Sequence, residues 1–267
     1  MDITFGQYYP SKSPVHRLDP RVKLIFVLVY IVTIFLGTSF VGLGLCTAFL
    51  ITAVIISRLP VRLFAKAIKP ILPIIIFTAI INLFYAGGDP LFYIFSIAVT
   101  KQGVLTSLLV VVRIILLIAG SSMLTFTTTP TSLTDGLERL LSPLTVFRLK
   151  VHELAMMMTI ALRFIPTLTE ETDKIMNAQK ARGADIDSGG LFKRVKALVP
   201  VFIPLLVSSF RRAFDLAVAM ECRCYTGGEG RTRMKIFKLR CADYLALGIM
   251  IVLLASVIVI NFVLGLV

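Results

Sequence analysis

The chain is 267 residues long, 57% hydrophobic and only 16% charged, with a mean hydropathy of +0.90. A water-soluble domain is nearer half apolar and a quarter charged, so the composition excludes one and points to a polytopic membrane protein. The net charge of +13 would suit a nucleic-acid binder, but the basic residues alternate with apolar stretches. That is the pattern of cytoplasmic loop bias, and no nucleic acid is expected as a partner.

Taken in order, residues 1–23 are polar and carry Pro10, Pro14 and Pro20. No cleavable leader is expected, because the first apolar run starts late and leads straight into a second. Leu24 to Leu36 and Phe40 to Ile56 read as two spans joined by Gly37-Thr38-Ser39, the first beginning near Val22. Arg58, Arg62, Lys66 and Lys69 follow, and Pro70 and Pro73 open a third span ending near Tyr85. Gly87-Gly88-Asp89-Pro90 is a turn signal. Residues 91–99 are apolar but short for a span, and read as an interfacial or re-entrant piece. Gly103 to Phe126 is a fourth span, closed by Thr127-Thr128-Thr129-Pro130, and Tyr244 to Leu266 is a fifth. The chain thus divides into 1–129, with an N-terminal cytoplasmic segment and four spans, a charged block over 130–243, and the last span over 244–267. The expected fold class is all-α: about five transmembrane helices plus long amphipathic cytoplasmic helices in the charged block.

Orientation follows from the cations. Four Lys/Arg precede the first span, four lie between the second and third, and eighteen lie between 128 and 243; there is one, Lys101, between the third and fourth, and none in the remaining connections or after the fifth. Positive loops stay in the cytoplasm, so the N-terminus and 130–243 are expected inside and the C-terminus outside. Arg113 lies within the fourth span. A cation there has to face protein or water, and its partners are expected among backbone carbonyls, hydroxyls such as Thr78 or Ser121, or another subunit. Both a packing or snorkelling role and a role in gating or subunit contact are open.

Catalytic signatures are absent. There is no G-x-x-x-x-G-K-[ST], so the chain is not expected to hydrolyse ATP. His152-Glu153 lacks the second histidine of H-E-x-x-H, since Met156 occupies that position, and His16 is the only other histidine. Cys222 and Cys224 form a lone C-x-C, too few ligands for zinc, and the four cysteines show no paired framework. Glu170-Glu171 read as a solvated face.

Within the charged block two long helical patterns stand out. One runs from about Lys150 to Lys180, with apolar Val151, Leu154, Met158, Leu162, Ile165, Leu168 and Ile175 mostly three or four apart. It ends on Ala181-Arg182-Gly183, a C-terminal stop signal. The other runs from about Leu191 through Val195, Leu198, Phe202, Leu206, Phe210, Phe214 and Val218 to Cys222-Arg223-Cys224, with Gly227 and Gly228 beyond. A cation at a helix C-terminus complements the macrodipole by itself. Small flanking residues around each arginine also suit a helix tip that enters a groove and offers a planar donor fork to a carboxylate.

Several stretches resemble the transmembrane T component of energy-coupling factor (ECF) transporters, importers of vitamins and metal ions powered by ATP-binding-cassette ATPases. Ser13-Pro14-Val15-His16-Arg17-Leu18-Asp19-Pro20-Arg21-Val22-Lys23 is similar to the family's signature before its first span. Thr127-Thr128-Thr129-Pro130 with Leu141-Ser142-Pro143, and Leu162-Arg163-Phe164-Ile165-Pro166 with Ala178-Gln179-Lys180-Ala181-Arg182-Gly183, resemble its coupling region. Ala219-Met220-Glu221-Cys222-Arg223-Cys224-Tyr225 matches the second motif but departs at both flanks, with cysteine where the family commonly has alanine and glycine. The resemblance implies a non-catalytic subunit in a prokaryotic plasma membrane that joins two ATPase subunits to a substrate-binding S component. ATP and magnesium would sit on the ATPases, and this chain would bind no cofactor or metal. The arginines of Ala181-Arg182-Gly183 and Cys222-Arg223-Cys224 would pair with acidic residues in ATPase grooves. Met157, Met158, Phe202 and Phe210, beside Met156, would suit the S-component platform, since methionine adapts its shape; ordinary internal packing would explain each of them equally. A self-sufficient secondary carrier would be expected to show internal repeats and ionisable groups inside the spans, and a membrane-embedded enzyme a catalytic constellation; neither is present.

Overall fold

The computed structural model describes residues 8–85, 90–94, 97–147, 150–184, 190–227 and 239–263. The turn at 86–89, the second turn glycine Gly228 and the end of the last predicted span fall outside the described residues. Within them the protein is an all-α, polytopic membrane protein apart from one short hairpin.

Helices α1, α2 and α5 start on a side-chain cap, which satisfies N–H groups that the helix leaves without partners. Helix α1 (Pro20–Leu36) is capped by Asp19, which accepts from the Arg21 N–H at 3.0 Å, with Pro20 in the first turn. Ser39 caps α2 (Phe40–Ser57) at the Gly42 N–H. Helix α3 (Val61–Ile68) passes through a 3-10 turn at Lys69–Ile71 into α4 (Leu72–Tyr85), so the basic stretch that reads as a loop is helical. Its Phe64 explains this: the ring packs edge-on against Phe126 at 5.4 Å and is buried with Leu59, Ala119 and Met123. Within 91–99, read as an interfacial or re-entrant piece, the described residues form strands: β1 (Pro90–Ile94) pairs antiparallel with β2 (Ile97–Thr100), with Tyr93 opposite Ala98. Thr100 then caps α5 (Lys101–Thr127) at Gly103. The chain continues through α6 (Pro130–Leu141), α7 (Val151–Ala181), α8 (Leu191–Cys222) and α9 (Cys241–Val263).

Among the described residues six helices are long and apolar enough to cross a membrane: α2, the continuous Val61–Tyr85, α5, α7, most of α8, and α9. Helix α1, at 17 residues, is roughly 26 Å long, a little short of the ~30 Å hydrocarbon core. Helices α7 and α8 qualify by length and apolarity even though their charges and motifs group them with the basic block.

Two compact units are formed, 1–140 with 236–267, and 141–235. In the first, α1, α2, α5 and α9 enclose Tyr30, Ile34, Leu43, Cys46, Leu116, Met250 and Val257. Gly120 lets α5 approach α1: a methyl group at that position would lie 2.4 Å from the Tyr30 ring. In the second unit α7 and α8 pack on each other.

Candidate functional site: the arginine-capped helix ends

Both arginine tripeptides are built the same way. At the end of α7, Arg182 is the last, half-helical residue. The Gly183 N–H donates to the Lys180 carbonyl and the Ala184 N–H to the Gln179 carbonyl, each at 3.0 Å. At the end of α8, Arg223 takes the same place, with Cys224 N–H to Glu221 at 2.8 Å and Tyr225 N–H to Met220 at 3.0 Å. This pair of bonds is the Schellman motif, which requires a left-handed residue directly after the cap. Gly183 supplies it at φ +85°, and Cys224 supplies it at φ +53°. The third position of each tripeptide is therefore fixed by backbone geometry, and Cys224 holds a conformation that strains a side-chain-bearing residue. Ala181, Arg182 and Gly183 are exposed, as are Cys222, Arg223 and Cys224, so each arginine stands at a helix end that carries the negative pole of the helix dipole.

The two helices run antiparallel. Arg212 of α8 donates to Glu171 of α7 at 2.7 Å, Ser208 also donates to Glu171, and Gln179 donates to the Pro200 carbonyl at 3.4 Å. With 32 residues, α8 extends roughly 48 Å, so the two arginine caps sit at opposite ends of the pair. Glu170 is solvated, but Glu171 is not the free surface acid that its sequence suggests; it ties the helices together. Met157, Met158, Phe202 and Phe210 are exposed by 54%, 44%, 61% and 69%. Each keeps a large part of its surface open, and α8 adds Phe192, Phe214 and Ile203 to the exposed apolar surface.

Arg113 finds one of its expected partners: Nη2 donates to the Gly37 carbonyl at 2.8 Å, at the α1–α2 turn. Asn261 of α9 donates to the Leu36 carbonyl there and accepts from Thr38 at 3.2 Å. Arg113 and Asn261 thus each occupy one carbonyl where α1 ends, and Thr38 orients Asn261.

Sequence reasoning missed a polar cluster at the other end of α1. Lys23 is 7% exposed, and its ammonium donates to the Thr127 carbonyl at 2.9 Å, Thr128 Oγ1 at 3.3 Å and the His16 carbonyl at 3.3 Å. Asp243, 2% exposed, accepts from the Asp19 N–H at 2.9 Å and the Arg240 N–H at 2.8 Å. His16 bonds Ser13 Oγ at 2.6 Å and the Tyr9 carbonyl at 3.0 Å; partial burial pushes its imidazole below the ordinary value. The only sequence signal was the density of polar residues in 13–23 and 127–130. A cavity of about 420 Å³ lies beneath, walled by Phe26, Tyr30, Phe49, Met123, Leu245 and Ile249, with Lys23 at one end. Among the described residues no three His, Cys, Asp or Glu side chains are placed to hold a metal ion, and all four cysteines are free, with Cys46 buried.

The chain is similar to known proteins along most of its length. The family described as cobalt transport protein, CbiQ, matches residues 11–235. The energy-coupling factor transporter transmembrane protein EcfT of Clostridium kluyveri is 49% identical over 247 residues, 92% of each chain. The protein of the same name from Ruminiclostridium cellulolyticum is 48% identical over 262 residues, 98% of each chain. That from Heliobacterium modesticaldum is 51% identical over 243 residues, 91% of each. With apolar helices, paired arginine caps and relatives that cover nine-tenths of its length, the chain belongs to the energy-coupling factor transporter transmembrane protein family and is a multi-pass transporter subunit.

Proposed function

We propose that the chain is the coupling subunit of an ECF-type importer in a prokaryotic plasma membrane, passing ATP-driven motion of two ATPase subunits to a substrate-binding S component that takes up a vitamin or metal ion. The observation that carries this reading is the matched pair of Schellman caps, each presenting one exposed arginine, at opposite ends of antiparallel α7 and α8. Two separated cationic tips suit two separate ATPase grooves, each offering a carboxylate to the planar guanidinium fork. ATP and magnesium belong to the ATPases. The exposed Met157, Met158, Phe202 and Phe210 supply an adaptable apolar platform for the S component. The alternation of cations places the N-terminus and 130–243 in the cytoplasm and the C-terminus outside. Labelling of cysteines introduced at 88 and 187, both outside the described residues, reads that orientation: 88 reacts in intact cells and 187 does not.

The deciding experiment is co-purification of ATPases with Arg182→Ala, Arg223→Ala and the double variant, with uptake measured alongside. Removing one partner of a buried charged pair costs about 2–5 kcal/mol, partly because the other charge is left unpaired. Either single variant weakens ATPase retention, and the double variant abolishes it. Lysine rescues poorly, since it lacks the bidentate fork. Assembly and uptake by the double variant at the parent level would show that the arginines only complement the helix dipoles.

A further inference from the structure

We propose that the first turn of α1 is the fixed anchor for both roots of the 141–235 segment, with Lys23 and Asp243 as its positioning residues; the coupling consequence rests on the function proposed above. The chain leaves its first unit after α6 and returns before α9. Each of those roots ends on the same turn. On the outgoing side, Lys23 holds the last carbonyl of α5, at Thr127, and the Thr128 hydroxyl. Just beyond, α6 lies so close that a methyl group on Gly136 would come within 2.9 Å of Pro20 Cβ and 3.2 Å of its carbonyl carbon. On the returning side, Asp243 in the first turn of α9 accepts from the Arg240 N–H, a capping arrangement, and spends its second oxygen on the backbone N–H of Asp19.

Burial makes this a rigid joint and not a surface contact. Asp19, Lys23, Thr127, Thr128, Thr134 and Asp243 are each less than 9% exposed. Removing one member of such a cluster leaves buried groups unpaired, whereas an exposed pair would simply be replaced by water. The chain runs from the second unit into the first beyond this cluster, through α6 on one side and into α9 on the other, so a displacement of α7 and α8 carried along the backbone meets the cluster on both sides. A loose joint there would absorb the displacement in the connections at 128–130 and 240–243. A stiff one passes it to α1, α5 and α9 together.

The test uses the full complex co-purified from native membranes, with Lys23→Met and Asp243→Asn. Hydrogen exchange is read on peptides covering 124–135, 238–246 and, as a control, 40–57. Lys23→Met raises exchange over 124–135, and Asp243→Asn over 238–246, by about tenfold or more, while 40–57 is unchanged, because only the local opening free energy falls. Uptake of radiolabelled riboflavin, biotin, folate or cobalt, whichever the parent complex carries, is divided by ATP hydrolysed. That ratio falls about fivefold or more while ATP hydrolysis stays within about twofold, a split that a general loss of folded protein would not produce. Unchanged exchange at both roots overturns the anchor outright, whatever the transport result. Raised exchange with an unchanged ratio also overturns it as a coupling device and leaves the proposed function standing. If no ATPase co-purifies with the parent chain, the proposed function fails and the coupling role fails with it, while the exchange data still report the joint. Should Lys23→Met not accumulate, the near-isosteric Asp243→Asn alone decides by the same criteria.

Discussion

Gly120→Ala tests the packing of the membrane bundle at its tightest point. The new methyl carbon would stand 2.4 Å from Tyr30 Cε1 and 2.7 Å from Cδ1, against about 3.5–4.0 Å for a comfortable carbon–carbon contact. The ring has to retreat by roughly 1 Å, and the space open to it is the cavity that it helps to wall. Tyr30 is 2% exposed, its hydroxyl donates to the Cys46 carbonyl at 3.3 Å, and Phe49 lies 6.0 Å away, ring to ring. Overpacking of this kind costs about 1–3 kcal/mol. Loss of the hydroxyl bond adds about 1 kcal/mol, and better helix propensity returns up to about 1 kcal/mol. The net is about 2 kcal/mol, or a melting point lowered by about 4–8 °C for a chain of this size. Because the chain has no tryptophan, the assay uses the buried Cys46. With the exposed Cys222, Cys224 and Cys241 replaced by alanine, a thiol-reactive dye reports only on Cys46 as the detergent-solubilised protein is heated. Tyr30→Leu placed in the Gly120→Ala background removes the ring and recovers part of the loss, a coupling that independent sites would not show. If Gly120→Ala labels and melts like the parent, the close approach of α1 and α5 at this point is wrong.

Four further variants each test a feature of a single residue. Gly183→Ala costs about 1–2 kcal/mol in α7 stability, because a left-handed backbone residue favours glycine and nothing lies within 4 Å of a Cβ at 183 to compensate; Cys224→Gly relieves the same backbone strain at φ +53° in α8, and amide exchange over 176–184 and 217–225 reads the effects. Arg113→Met strips the Gly37 carbonyl of its donor and lowers the thermal midpoint by about 1–3 kcal/mol equivalent, whereas a purely lipid-facing arginine would be improved by the change. Arg212→Met breaks a half-exposed pair with Glu171, whose side chains are 39% and 21% exposed, and costs at most about 1 kcal/mol by the same melting assay.

What the sequence determined by itself was whatever is written within one or two turns of chain. Apolar runs located the helices of the spans, and the small-residue/arginine tripeptides located the ends of α7 and α8, because a Schellman cap is a local device signalled by Gly183. Arg113 was legible as a buried cation in need of a partner, since its cost depends only on where it sits. The tertiary structure decided everything that joins distant segments. Residues 61–68 look like a basic loop until Phe64 meets Phe126. Glu171 looks solvated until α8 brings Ser208 and Arg212 alongside. The left-handed conformation of Cys224 is set as locally as that of Gly183, by the bonds back to Met220 and Glu221, but no glycine marks it in the sequence. Asp19 and Asp243 are 224 residues apart, and no periodicity or motif links them. Their bond exists because burial in an apolar bundle leaves a backbone N–H and a carboxylate no water to turn to, so each must find the other.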